Sequence, residues 1–260
     1  MELIRSRTAV VVVVGAIAAL TIALGAWQGW LAQAEGTTYV VNDVIPPEAE
    51  CGTPNYTTTD ISSVIALPEV NDGDTLVLCE GTYDPAIMVD KKITIEGQAD
   101  VAIADVVIDG TGGGVDGIDV NADDVTIRHL TLEGPAAGGR GIDVGARNNT
   151  TITDVELTDW DDGIRLNDAT NATIQGSSIH DNVDGIDADD TTDTRILSND
   201  IVDNFDHGIR LDTDDLALVA DNTISGNGIN QLLITFTSHV QVLRNTIVTG
   251  SDGIYLDLPA

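Results

Sequence analysis

The chain has 260 residues and a formal net charge of −32, from 43 Asp and Glu against 11 Lys and Arg, with only two Cys. A surface of that sign repels nucleic acid and other anionic polymers, which argues against nucleic acid as a partner. The length suits one domain behind a leader.

The leader comes first. Arg5 and Arg7 precede an uncharged apolar run from Thr8 to Trp27, followed by Trp30 and the small-residue pattern Ala32-Gln33-Ala34. The run is long for a secretory signal and just long enough to span a bilayer. Residues 1–34 are therefore either a signal peptide cut near Ala34 or an uncleaved membrane anchor with its basic end in the cytoplasm. Either way, the chain from Glu35 onward is expected outside the cell, secreted or anchored at its surface.

Residues 35–75 read as a capping region. In an exported chain the pair Cys51 and Cys79 reads as a disulfide closing a loop of about 28 residues, worth roughly 3.5 kcal/mol in the chain-entropy model; two free buried thiols are the alternative. Asp60 is placed to N-cap a short helix carrying Ile61, Val64, Ile65 and Leu67, which would cover the open first coil of a repeat array.

Residues 76–260 are that array. Gly-Ile-x-aliphatic stretches or near copies start at Gly117, Gly141, Gly163, Gly185, Gly208 and Gly253, and a degenerate copy starts at Gln231. Their spacing is 22 to 24 residues. In each, Ile and a second apolar residue alternate with polar ones, as in a strand with one buried face. A second alternating pair (Ala172 with Ile174, Val240 with Val242) and a third buried column (Leu157, Ile179, Ile201, Ile224, Ile247) complete three short strands per repeat. The repeat is too short for paired helices and lacks the leucine-rich signature, so the predicted fold is all-β, a right-handed parallel β-helix of about eight or nine coils. Asn199, Asn222 and Asn245 share one column. They predict an internal asparagine ladder at a bend, with amides about 4.8 Å apart and the Asn backbone left-handed.

The segments CGTPNYTT and DGDTLVLCEGTYDPAIMVDKKITIEG, between Tyr39 and Ile108 and leading into these coils, resemble the entry module of the pectin-lyase-like superfamily of right-handed parallel β-helices. The coils resemble carbohydrate-binding and sugar-hydrolase repeats and the repeats of NosD-type proteins. The resemblance covers about residues 38–258. It implies the fold and leaves the activity open, because the superfamily spans lyases, glycosidases, epimerases, adhesins and silent members. With Lys91 and Lys92 as its only lysines, the chain also resembles exported proteins of salt-loving microbes.

The outward column two residues past each glycine reads Asp119, Asp143, Arg165, Asp187, Arg210, Leu233 and Tyr255. Alternating charge one rung apart makes either a salt-bridge ladder or a glycan groove, with Arg165 and Arg210 holding acidic sugars and Asp143 and Asp187 as acceptors or catalytic acids. Counted back from each glycine, Trp160 and Phe205 fall in one column two coils apart, with Asn182 between them, and would form two platforms for sugar stacking or plug a turn. One residue before the glycines, Asp162, Asp184 and His207 are the candidate metal ligands, with Ca²⁺ the ion that such oxygen-rich columns would hold. The scattered histidines His129, His180, His207 and His239 argue against copper. Asn55, Asn148, Asn149 and Asn171 stand in glycosylation triplets.

The leading expectation is an extracellular, non-catalytic glycan-binding or structural module using Trp160, Phe205, Arg165 and Arg210. The alternative is a lyase or hydrolase of acidic polysaccharide using Asp143, Arg165, Asp187 and Arg210, with Asp162 and His207 on the same face. Polysaccharide is the expected partner, with the membrane added if the leader stays. An open last coil predicts self-association.

Overall fold

The computed structural model describes residues 36–43, 51, 53–136, 138–248 and 252–257. The predicted leader, residues 1–34, lies outside them. Among the described residues no helix is long and apolar enough to cross a membrane.

The alternation seen in the repeats becomes an eight-stranded parallel sheet. Its strands stack in chain order as Ile87–Val89, Ile118–Val120, Arg140–Val144, Asp162–Asn167, Asp184–Asp189, His207–Asp212, Asn230–Thr235 and Asp252–Asp257. Register pairs like with like: Ile142 faces Ile118 and Ile164, and Val144 faces Val120 and Leu166. Ile118, Ile142, Ile164, Ile186, Ile209 and Leu232 are fully buried. Each such side chain contributes roughly 1.5–3 kcal/mol relative to exposure. The β-helix thus has a continuous apolar interior, one rung of residues per coil, and each coil contacts mainly its neighbours.

A second, sixteen-stranded parallel sheet forms the other walls. In two coils a single long strand, Thr126–Glu133 or Thr151–Thr158, turns the corner at a left-handed residue, His129 (φ 57) or Asp154 (φ 53). In later coils the same corner separates two three-residue strands, with Gly176, Ser198, Asp221 and Arg244 left-handed there. The asparagine ladder sits one residue beyond this corner. Asn222 Nδ2 donates to Ile196 O (2.8 Å) and to Asn245 Oδ1 (2.9 Å), while Asn222 Oδ1 accepts from the backbone and amide of Asn199 (2.9 and 3.0 Å). Contrary to the expectation from sequence, the residue before each Asn takes the left-handed backbone, and the Asn does not. The Asn side chain stays inside to satisfy the polar groups that the corner would otherwise strand.

A second amide ladder runs through Asn182, Asn204, Asn227 and Gln231. Asn182 Nδ2 reaches Asn204 Oδ1 (3.1 Å), Asn204 Nδ2 reaches Asn227 Oδ1 (2.9 Å), and Asn227 Nδ2 reaches Gln231 Oε1 (2.8 Å). All four residues are fully or almost fully buried. At the upper end of this ladder stands Trp160, whose backbone N–H donates to Asn182 Oδ1 (3.0 Å).

At the amino-terminal end the helix Ile61–Ile65 buries Ile61, Val64 and Ile65, and Asp60 accepts from the Ser63 N–H (3.1 Å) as its N-cap. Ser62 Oγ accepts from Met88 N (3.1 Å) and donates to Ala86 O (3.2 Å), so the helix supplies hydrogen bonds to the outermost strand of the eight-stranded sheet. Lys91 Nζ closes the other helix end on Ile65 O (2.5 Å) and also donates to Leu67 O and Val70 O in the turn beyond it, both at 2.9 Å. Cys51 and Cys79 form a disulfide. In the last described strand Ile254 and Leu256 are exposed, and they border an apolar hollow of about 430 Å³ with Ile234, Val240 and Val242.

Candidate functional site

The outer face of the eight-stranded sheet carries a groove of about 690 Å³ lined by Asp116, Arg140, Asp161, Asp162, Arg165, Val183, Asp184, Asp187 and Arg210, together with Gly114 and Gly139. It crosses four strands in register. Asp143, Arg165, Asp187 and Arg210 follow one another along one column, and Arg140, Asp162 and Asp184 along the adjacent one. The glycines between the columns let successive rungs approach: a Cβ on Gly141 would lie 2.5 Å from Gly163 O.

The charges are not paired evenly. Arg140 lies 3.1 Å from Asp143, 3.6 Å from Asp162 and 3.7 Å from Asp116. Arg210 lies 3.5 Å from Asp187 and 3.3 Å from Asp212. Arg165, between Asp143 and Asp187 in the register, makes no ion pair within 4.0 Å among the described residues. Asp187 is only 5% exposed, although it belongs to the outward column.

Burial pushes the Asp162 carboxyl up to about 6, reinforced by Asp187 and Asp184 and opposed by Arg165 and Arg140. Burial also raises Asp187, against the pull of Arg210 and Arg165, and raises Asp184, which the backbone N–H of His207 holds back through a 2.9 Å hydrogen bond. Asp143 and Asp119 are raised by burial as well. A carboxyl that exchanges its proton near neutral pH beside guanidiniums can give or take a proton, and such groups cluster in functional clefts.

Of the residues singled out from sequence, Arg165, Arg210, Asp162, Asp184 and Asp187 meet in the groove, and Asp143 sits beside it on Arg140. Trp160 requires a correction. It is 1% exposed, with its indole N–H donating to Leu132 O (3.1 Å), and cannot stack on a sugar. Small residues make room for it: a Cβ on Gly134 would lie 2.8 Å from its ring, and one on Gly141 3.1 Å. Nor is Phe205 in its column. Asn182 pairs with Asn204, so the extra residue of the 23-residue coil displaces Phe205 outward, where it is 76% exposed.

The expected metal set is also rearranged. Asp162, Asp184 and His207 do not converge, and His207 instead accepts from Asn230 Nδ2 at its Nδ1 (3.3 Å). Among the described residues the carboxylates that do gather, within 4.8 Å of one another, are Asp116, Asp119 and Asp143. Arg140 already pairs with two of the three, Asp116 and Asp143, and its backbone N–H donates to Asp116 Oδ1 (2.6 Å). That guanidinium competes with a cation for two of the three carboxylates. Arg140 is the residue that sequence reading left out of the site; its position one residue before Gly141, next to the charged column, was the available signal.

A family model described as a right handed beta helix region matches residues 91–256. Similar solved structures include the pectate lyase Pel9A, at 14% identity and a TM-score of 0.61 over 86% of this chain and 68% of that one. A rhamnogalacturonan lyase matches at 14% identity and 0.59 over 85% of this chain and 62% of its own, and an alginate lyase from Paenibacillus sp. str. FPU-7 at 14% and 0.52 over 86% and 99%. Identities this low show a common fold alone. No curated protein sequence matches.

Proposed function

We propose, from the premise that this chain belongs to the right-handed β-helix family, that it is an exported protein whose groove takes an acidic polysaccharide across successive rungs. The observation that carries the reading is Arg165: a guanidinium lining the groove without an ion-pair partner within 4.0 Å among the described residues, able to receive a sugar carboxylate in bidentate fashion. Arg140 and Arg210 flank it on neighbouring strands. Phe205, exposed two residues before the strand that carries Arg210, offers an apolar face for a sugar ring. The disulfide supports an extracellular setting.

Cleavage is a second reading, favoured by Asp162. Pushed up to about 6, its carboxyl can protonate a leaving glycosidic oxygen as water adds to the anomeric carbon and gives its proton to a neighbouring carboxylate such as Asp184, while Arg165 neutralises the uronate of the same glycan. The similar solved structures include lyases of pectate, rhamnogalacturonan and alginate, which supports this kind of ligand.

A glycan array and a reducing-end and unsaturated-end assay on uronate polymers, at mildly acidic and neutral pH in high salt, test both. Arg165→Ala should weaken uronate binding by about tenfold or more; binding equal to wild type would sink the groove assignment. Asp162→Asn should abolish any cleavage without weakening binding.

A further inference from the structure

A polyanion that enters this groove meets five carboxylates and three guanidiniums, on a molecule whose net charge is already −32. The protein's own acids also occupy two of the cations: Asp187 and Asp212 hold Arg210, and Asp116, Asp143 and Asp162 share Arg140. With every acid ionised, the groove would repel the ligand it is shaped to hold.

We propose that the groove is gated by acid: protonation of the Asp162, Asp184 and Asp187 cluster removes negative charge from around Arg165 and releases one partner each of Arg140 and Arg210, so that the three guanidiniums bind the carboxylates of an acidic polysaccharide, and deprotonation expels it. The inference rests on the polysaccharide reading and adds its regulation.

The three acids stand on two adjacent strands. Asp162 is faced by Arg140 from the preceding strand, Arg165 on its own, and Asp184 and Asp187 from the next. Asp187 is faced by Arg165 on one side, Arg210 and Asp212 on the other, and Asp189 along its own strand. Asp184 meets His207 and Asp206 from the following coil and Asp187 beside it. Three half-buried to buried carboxyls in such proximity resist simultaneous ionisation, and burial moves all three upward, Asp162 to about 6. Sugar carboxylates in water behave like ordinary carboxylates and remain ionised above about pH 4.5. Between that point and neutrality the groove sheds negative charge as pH falls while the ligand keeps its own.

The test is fluorescence anisotropy of a fluorescein-labelled polygalacturonate oligomer titrated with the full chain from pH 4.5 to 8 at constant ionic strength, with a labelled dextran oligomer as the neutral control. Affinity for the uronate should rise about tenfold or more from pH 8 to pH 5, with no matching change for dextran. Asp187→Asn and Asp162→Asn should each tighten uronate binding at pH 8 and flatten the profile. Wild-type uronate binding that ignores pH, or weakens on acidification, overturns the gate and leaves the groove assignment standing. No uronate binding at any pH by wild type or either variant overturns both. The wild-type profile decides even if a variant fails to fold.

Discussion

Trp160 shows how one residue's chemistry can mislead when its neighbours are ignored. An aromatic beside an Arg/Asp strip suggests a sugar platform, but glycines at 134 and 141 leave a space that the indole fills, and its N–H finds Leu132 O. Trp160→Ala should therefore destabilise the fold by about 3–5 kcal/mol in denaturant unfolding. Trp160→Phe should leave uronate binding unchanged; a loss of binding with stability intact would restore the stacking role. Arg165, Asp162 and Asp187 were legible as one face because strand register follows directly from repeat spacing. The burial of Asp187 was not, because whether an outward residue is covered depends on the long side chains of adjacent rungs, which spacing does not report.

At the scale of the coil, the repeat period announced strands, their order and the column at Asn199, Asn222 and Asn245. The second ladder was hidden. Asn182 stands three residues before Gly185, but Asn204 and Asn227 stand four before Gly208 and Gln231, so counting back from the glycine put Phe205 where Asn204 belongs. Alignment from the other side of the coil would have exposed it. Replacing Asn222 by Ala removes the acceptor of Asn199 N–H and Nδ2 and the donor to Ile196 O and Asn245 Oδ1, four hydrogen bonds in all, and should cost on the order of 2–4 kcal/mol. Thermal unfolding of Asn222→Ala beside Thr223→Ala, an exchange without a ladder amide, measures this; equal effects would refute a specific contribution of the ladder.

The whole molecule carries 43 acids on a structure whose coils hold one another mainly by short-range contacts. Like charges repeated at every rung repel along the entire length, and the repulsion falls once the Debye length drops from about 10 Å at 0.1 M salt to about 3 Å at 1 M. Melting temperature should rise by roughly 5–10 °C over that range, equivalent to about 2–3 kcal/mol at this size. A melting point that stays flat or falls with salt would mean that the acids are already neutralised in pairs. The register that lines up Ile142, Ile164, Ile186 and Ile209, and the amides alongside them, has a genetic consequence as well. Because interior residues meet other apolar residues, or matching amides, above and below, an in-frame gain or loss of one coil's worth of codons joins surfaces that already match, so a gene of this type can change the length of its product without inventing a new core.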